Sequence, residues 1–216
     1  MIDESLQSWI SKVVFFHILT ARLPRRKIHA FSALLLAACL TGPLIPSLHV
    51  AMAATSADVW LSVDTEQLNL AVMRGETELQ VFENIAIGSN GTSMNKRRGD
   101  ETTPLGEFTI TEIRRSKRFE LFMAINYPNL DHTERAFQDQ RIDVDEYRTL
   151  RYDLDRGEPP SQSTSLGGQL GIHGLGTGDP EVHQSVNWTD GCIALTNEQL
   201  VELADWVVVG TRVVVR

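Results

Sequence analysis

Cysteine is scarce in this sequence, which contains only Cys39 and Cys192 among 216 residues. Two cysteines cannot form the several bridges that hold a small disulfide-rich domain together. The sequence also lacks a C-x-x-C pair and an H-x-x-x-H pair, which are common spacings of zinc ligands. It therefore predicts neither a disulfide framework nor a metal site.

Basic residues are also few, with 20 Lys and Arg against 28 Asp and Glu and a net charge of −8. Five of the basic and two of the acidic residues precede residue 54, so the remainder carries a net charge of −11. Proteins that bind nucleic acids present an excess of Lys and Arg to the phosphates. This composition argues against a nucleic acid as partner.

The first 53 residues have the pattern of a secretory leader. Basic residues end at Lys27, an apolar run follows over residues 28–45, and small residues occupy 51 and 53. Basic, apolar and small segments in this order are typical of a signal peptide, here cleaved near Ala53. We expect an exported protein that acts in the periplasm or cell envelope.

Two other fates of the leader are compatible with its sequence. Residues 28–50 approach the length that spans a bilayer, so the segment could be retained as a membrane anchor. The sequence up to Cys39 resembles a lipobox, which would make the protein a lipoprotein. If the leader is removed, Cys192 is an unpaired thiol in an oxidising compartment, which favours a reactive role.

Residues 58–216 are predicted to form one domain that is mainly β. Residues 59–64 and 68–73 are rich in apolar and β-branched side chains and are separated by a short polar turn, as in a β-hairpin. Later segments of similar character predict the strands 78–82, 108–113, 122–127, 169–173 and 213–215. The expected architecture is a mixed-sheet β-sandwich or flattened barrel.

Two helices are predicted within this domain. Asp143 and Glu146 have the spacing of a capping pair, and apolar residues recur at helical spacing from Tyr147 onwards. This pattern indicates a helical insertion that packs over the sheet and shapes one wall of a cleft. Thr196 and Gln199 have the same capping spacing, which predicts a short helix after the Cys192 turn.

The stretch 171–195 carries the reactive side chains His173 and Cys192, each beside a glycine. A thiol attacks as its thiolate, so it needs a proton acceptor, and an imidazole supplies one. Gly191 lacks Cβ, so the backbone can turn sharply and approach a substrate closely. We expect the N–H groups of Gly191 and Cys192 to point at one oxygen, as an oxyanion hole requires.

This stretch resembles the signature of the L,D-transpeptidase catalytic domain family. That signature is a His-Gly pair, a spacer of about this length, and a Ser/Thr-x-Gly-Cys turn followed by an apolar residue; it matches His173, Gly174, Thr189, Gly191, Cys192 and Ile193. A Thr-Pro-x-Gly-x-Phe element at residues 103–108 extends the resemblance, which spans about residue 58 to the C-terminus. Asp190 and Ala194 depart from it, since many members carry His and Arg or Asn there.

The resemblance implies L,D-transpeptidation on peptidoglycan stem peptides without a cofactor. Cys192 would attack the carbonyl of the third residue of a tetrapeptide stem, expel the terminal D-Ala and form a thioester. An amine of another stem, or of a wall-linked protein, would resolve that thioester, with His173 moving the protons. Family members are acylated by carbapenems, so the resemblance implies an adduct on Cys192.

Four further residues in or near the signature are expected to support the reaction. Thr189 is expected to steady the turn, and Trp188 to form a wall of the cleft or anchor its loop. Gly174 and Asp190 are expected among the substrate-binding residues.

Two alternative functions remain open at this point. Water in place of an amine would make the same Cys192 and His173 site a hydrolase, either an L,D-carboxypeptidase or an enzyme that releases wall-linked protein. The changes at Asp190 and Ala194 also leave open a non-catalytic module that binds the cell wall.

Two basic clusters lie outside the signature, at residues 96–98 and 114–118. The second is expected at a strand end, where solvated charges are common. Together the clusters could instead form a positive rim that attracts an acidic substrate to an otherwise acidic protein.

Overall fold

The structure is a computed structural model, and it describes residues 59–216. The predictions on the leader, including cleavage near Ala53, retention as an anchor and lipidation at Cys39, lie outside the described residues. None of the helices within residues 59–216 is long and apolar enough to cross a membrane.

Eight strands form one mixed sheet, which confirms the predicted mainly β class. Their order across the sheet is β3-β2-β1-β10-β6-β7-β8-β9. The bounds are β1 Val59–Asp64, β2 Asn69–Arg74, β3 Thr77–Glu83, β6 Gly106–Ser116, β7 Glu120–Ile125, β8 Gly171–Gly174, β9 Ile193–Leu195 and β10 Arg212–Val215. Two short strands, β4 Thr92–Ser93 and β5 Thr103–Pro104, pair separately in parallel.

The edges of the eight-stranded sheet are brought together by the chain that follows β3. Ile85 donates to the Leu68 carbonyl, and Ala86 pairs with Ala194 of β9 through two hydrogen bonds of 2.9 and 2.8 Å. Ala194 is fully buried at this junction. The sheet thus curls back on itself in the manner of a flattened barrel.

The last strand, β10, lies inside the sheet rather than at its edge. It pairs in parallel with β1 and antiparallel with β6, and Val213 and Val215 are buried in the core. The valine-rich sequence predicted the strand, but only the long-range pairing shows that it joins the two halves of the sheet.

Both predicted helices are present. The insertion contains α2, Val144–Asp155, whose N-cap Asp143 accepts hydrogen bonds from the Asp145 and Glu146 backbone N–H groups. The helix after the Cys192 turn is α4, Asn197–Ala204, and Thr196 and Gln199 form the full capping box. Local side-chain-to-backbone hydrogen bonds of this kind fix helix starts, which is why the sequence pattern located them.

Two further helices were not predicted. The insertion begins with α1, Leu130–Gln138, and the loop after β8 contains the short helix α3, Pro180–Ser185. Both begin at a recognisable cap, Asn129 and Asp179. Their sequences lack a clear apolar repeat, because the side chains that they bury are polar or small: His132, Thr133 and Ala136 in α1, and His183 in α3.

Candidate active site

His173 and Ala194 are direct neighbours on the parallel strands β8 and β9. Cys192 immediately precedes β9, two residues before Ala194. If the alternation of side chains in β9 is extended by one residue, Cys192 is expected on the face of the sheet that carries His173. The fold therefore brings the predicted nucleophile and the predicted base together, from positions 19 residues apart in the sequence.

The His173 ring is held among aromatic side chains and is 2% exposed. It stacks on Phe119 with ring centroids 4.0 Å apart, and Trp188 meets it edge-on at 5.9 Å. Its Nδ1 lies 2.8 Å from the Gly174 carbonyl oxygen. A carbonyl only accepts, so Nδ1 carries the hydrogen and Nε2 presents its lone pair.

Burial lowers the pKa of His173 below its ordinary value, and the nearby Arg118 and His183 act in the same direction. The hydrogen bond to Gly174 opposes this shift only in part. The imidazole is consequently neutral at pH 7, which is the form that can accept a proton from a thiol.

Cys192 is a free, partly exposed thiol. Burial of the sulfur raises its pKa to about 11, with Asp190 adding to the rise and Lys96 and Arg118 opposing it. The Sγ–H group faces the Gln169 carbonyl oxygen at 3.8 Å instead of the imidazole. The resting thiol is therefore protonated, and attack requires a turn about its Cα–Cβ bond and a base to remove the proton.

Thr189 ties the nucleophile turn together, as expected. Its Oγ1 donates to the Cys192 carbonyl oxygen at 2.7 Å and accepts from the Gly191 N–H at 3.1 Å. The use of the Gly191 N–H in an oxyanion hole stays a prediction, and in this structure that N–H donates to Thr189 Oγ1. Thr189 already occupies that donor, and an oxyanion would have to displace it.

Gly191 itself is required by the geometry of the turn. Its φ is +123°, and a Cβ at this position would lie 2.4 Å from the Thr102 carbonyl oxygen. No other residue fits between the turn and the Thr102 backbone without moving one of them.

The three residues expected to contact substrate lie in different environments. Gly174 is buried, and a Cβ there would lie 2.6 Å from Asn197 Oδ1, so close packing accounts for the glycine. Trp188 lies against His173 and donates from Nε1 to His183 Nδ1 at 3.2 Å. Asp190 is exposed beside the cysteine, with its side chain toward solvent.

A cavity of about 330 Å³ lies beside the His173 ring, because Phe119 and Trp188, which pack against the ring, also line the cavity. Its other walls combine apolar side chains with one guanidinium and one carboxylate; they include Leu175, Val182, Arg118 and Asp179. Such a cavity can accept a small chain with both apolar and charged groups. Arg118 is the only member of the two basic clusters that lines it.

Sequence reasoning missed the positions of Phe119 and Lys96. Phe119 stands alone in a basic hairpin, and nothing local shows that it packs on an imidazole 54 residues away. Lys96 was grouped with its charged neighbours, although it is 3% exposed. Lys96 forms an ion pair with Asp100, but the two residues lie in a loop, where a spacing of four does not predict contact as it does on a helix.

The fold and this site define a mainly β domain with a thiol at the start of one strand and a neutral imidazole on the neighbouring strand. A family model, YkuD, described as the L,D-transpeptidase catalytic domain, matches residues 58–215. The chain belongs to the L,D-transpeptidase catalytic domain family, as the resemblance predicted. No curated protein sequence matches the chain.

Several solved structures are similar to this chain at low sequence identity, and the first described here shows the fold. The helical cell shape determining protein Pgp2 from Campylobacter jejuni is 20% identical, with a TM-score of 0.52 over 73% of this chain and 47% of that one. Bd1075 from Bdellovibrio bacteriovorus is 18% identical, with a TM-score of 0.47 over 74% and 48%. An L,D-transpeptidase from Xylanimonas cellulosilytica is 15% identical, with a TM-score of 0.44 over 76% and 62%. The chain thus spans about half the length of the first two.

Proposed function

We propose that this protein is a peptidoglycan L,D-transpeptidase that acts through a thioester on Cys192. The position of Cys192 at the start of β9, next to the strand β8 that carries His173, supports the proposal. The Gly174 carbonyl supports it, because it fixes the tautomer in which Nε2 accepts a proton.

In the first half-reaction, His173 Nε2 takes the thiol proton and Sγ attacks the carbonyl carbon of the third stem residue. The tetrahedral intermediate collapses when the bond to the terminal D-Ala nitrogen breaks. The imidazolium returns its proton to that nitrogen, so D-Ala leaves as a neutral amine and the thioester remains.

In the second half-reaction, an amine of another stem attacks the thioester carbonyl. His173 accepts a proton from this amine and delivers it to the departing Cys192 sulfur. The net result is a new amide in place of the old one, with the enzyme returned to its starting form. No cofactor enters either half-reaction.

The cavity beside His173 is suited to part of a stem peptide. Phe119, Leu175 and Val182 supply apolar surface, and Arg118 and Asp179 supply one charge of each sign. A diamino acid side chain carries an aliphatic stem with a charged end, which matches this combination. Peptidoglycan lies outside the cytoplasmic membrane, so the proposal also requires export, in agreement with the leader pattern of residues 1–53.

Product analysis tests the function directly. Tetrapeptide-rich peptidoglycan incubated with the protein should yield cross-linked muropeptides and free D-Ala, identified by liquid chromatography and mass spectrometry. Tripeptide stems without cross-links would instead identify a hydrolase. Unchanged muropeptides, under conditions in which the protein remains folded, would identify a non-catalytic wall-binding module.

A further inference from the structure

Lys96 is a buried cation directly below the cysteine turn. Its Nζ donates to Asp100 Oδ1 at 2.9 Å and to the Asp190 backbone carbonyl at 3.3 Å. A Cβ built on Gly191 would lie 2.9 Å from the same nitrogen. The ammonium is thus in contact with the two residues that precede Cys192.

The anchor of this lysine is itself rigid. The Asp100 carboxylate accepts hydrogen bonds from the Arg97 and Thr102 backbone N–H groups at 2.6 and 3.0 Å. Although partial burial acts to raise the pKa of Asp100, these bonds and Lys96 hold it below its ordinary value. The Lys96 carbonyl accepts from Arg141 Nη1 at 3.3 Å, which ties the loop to the helical insertion.

A buried lysine is costly, because its charge is removed from water. An ion pair that served only to hold the loop could equally lie at the surface, where the neighbouring Arg97 and Arg98 are exposed. The position of Lys96 instead brings a positive charge to a turn that must carry negative charge during the reaction, first on sulfur and then on the substrate oxygen.

We propose that Lys96 is a positioning residue of this site: it fixes the Asp190–Gly191 peptide and places a positive charge beneath Cys192, where it stabilises the thiolate. The inference rests on the proposed nucleophilic role of Cys192. It assigns a specific function to one member of the basic cluster at 96–98, whereas Arg97 and Arg98 are exposed.

The charges around the sulfur determine the sign of the expected effect. Lys96 and Arg118 favour the thiolate, whereas Asp190 opposes it. Neutral His173 on β8 accepts the proton, and Asp100 partly offsets the charge of Lys96. Removing the lysine charge should therefore raise the pKa of Cys192, and removing the Asp100 charge should lower it.

The test is the pH dependence of Cys192 alkylation by iodoacetamide, a neutral reagent that reacts with the thiolate. Peptide mass spectrometry restricts the readout to the Cys192 peptide. Lys96→Gln, which retains a hydrogen-bond donor without the charge, should shift the midpoint upward and slow alkylation at pH 8 about tenfold. Lys96→Arg should restore the midpoint, and Arg97→Met, an exposed charge loss in the same loop, should not move it.

Asp100→Asn provides an independent arm, because it retains Lys96 and should shift the midpoint downward. Equal midpoints for Lys96→Gln, Asp100→Asn and the unaltered protein would overturn the inference. Faster alkylation of Cys192 in Lys96→Gln would also overturn it. That result would mean that Lys96 only holds the turn in place, and that its loss exposes the thiol. If Lys96→Gln does not fold, the Asp100→Asn variant decides: a lower midpoint supports the role of Lys96, and an unchanged or higher midpoint overturns it.

Failure of the proposed function has a different signature. An unaltered protein with a reactive Cys192 and no muropeptide product would reject transpeptidation while leaving the alkylation midpoints interpretable. Normal product formation with identical midpoints would reject the role of Lys96 alone.

Discussion

Cys192→Ser is expected to reduce muropeptide conversion to background, a loss of roughly 10⁴-fold or more. A serine hydroxyl holds its proton far more tightly than a thiol, and the single imidazole beside it lacks a carboxylate partner among its contacts. The substitution is nearly isosteric at a partly exposed site, so the fold should be preserved. Product analysis by mass spectrometry measures the loss.

The chain offers a matched control for this substitution. In protein purified with its leader intact, Cys39→Ser makes the same chemical change outside the catalytic domain and should retain full activity. Thermal unfolding should show that both variants remain folded. Conversion by Cys192→Ser at the level of the unaltered protein would contradict the role of Cys192.

His173→Gln is expected to reduce the rate by about 10²–10⁴-fold, the usual contribution of a general base. Glutamine can donate to the Gly174 carbonyl but cannot take a proton from the thiol. His183→Gln is the matched control, because His183 is also buried and also has a lowered pKa, but its Nδ1 accepts from Trp188 Nε1 and it does not lie on β8. Steady-state rates of the two variants measure the difference.

The pH profile gives the same prediction a second readout. The base form of His173 is the neutral one, and burial lowers its pKa below the ordinary value of 6.5. Activity should therefore persist as the pH falls through 6.5 and decline only at lower pH. A large loss in His183→Gln with little loss in His173→Gln would show that the base is the other imidazole.

Local patterns allowed much of this domain to be predicted. The Asp143 and Thr196 caps act within four residues of themselves, and the β1–β2 hairpin pairs neighbouring segments. The side-chain bonds of the Cys192 turn are equally local, since Thr189 Oγ1 bonds to Gly191 and Cys192, although the Thr189 backbone also pairs with Ile87 and Ser89. Interactions between residues this close in the chain can be predicted from the spacing of residue types.

The remaining features depend on contacts between distant segments. The central place of β10 is set by its pairing with β1 and β6, and closure of the sheet is set by Ala86 against Ala194. The buried position of Lys96 depends on a turn 94 residues away. The sequence also predicted that Gly191 forms the turn, but it did not predict that the Gly191 N–H donates to Thr189.

Ala194, which departs from the common family pattern, lies in a closely packed part of the sheet. Its backbone pairs with Ala86 on one side and with β8 on the other, and its side chain is fully buried. A long polar side chain would have to enter this junction without a partner. Asp190, by contrast, is exposed, so its effect on the site is electrostatic rather than steric.

Covalent acylation tests the central claim, a reactive Cys192 that forms a thioester, most directly. A carbapenem offers a strained amide carbonyl, and its ring opens without losing atoms when sulfur attacks. We predict slow but stoichiometric addition of one carbapenem mass by intact-protein mass spectrometry, located on the Cys192 peptide and faster in Asp190→His, which removes a carboxylate beside the sulfur. Absence of an adduct after prolonged excess, with Cys192 titrating as a free reduced thiol, would contradict the account.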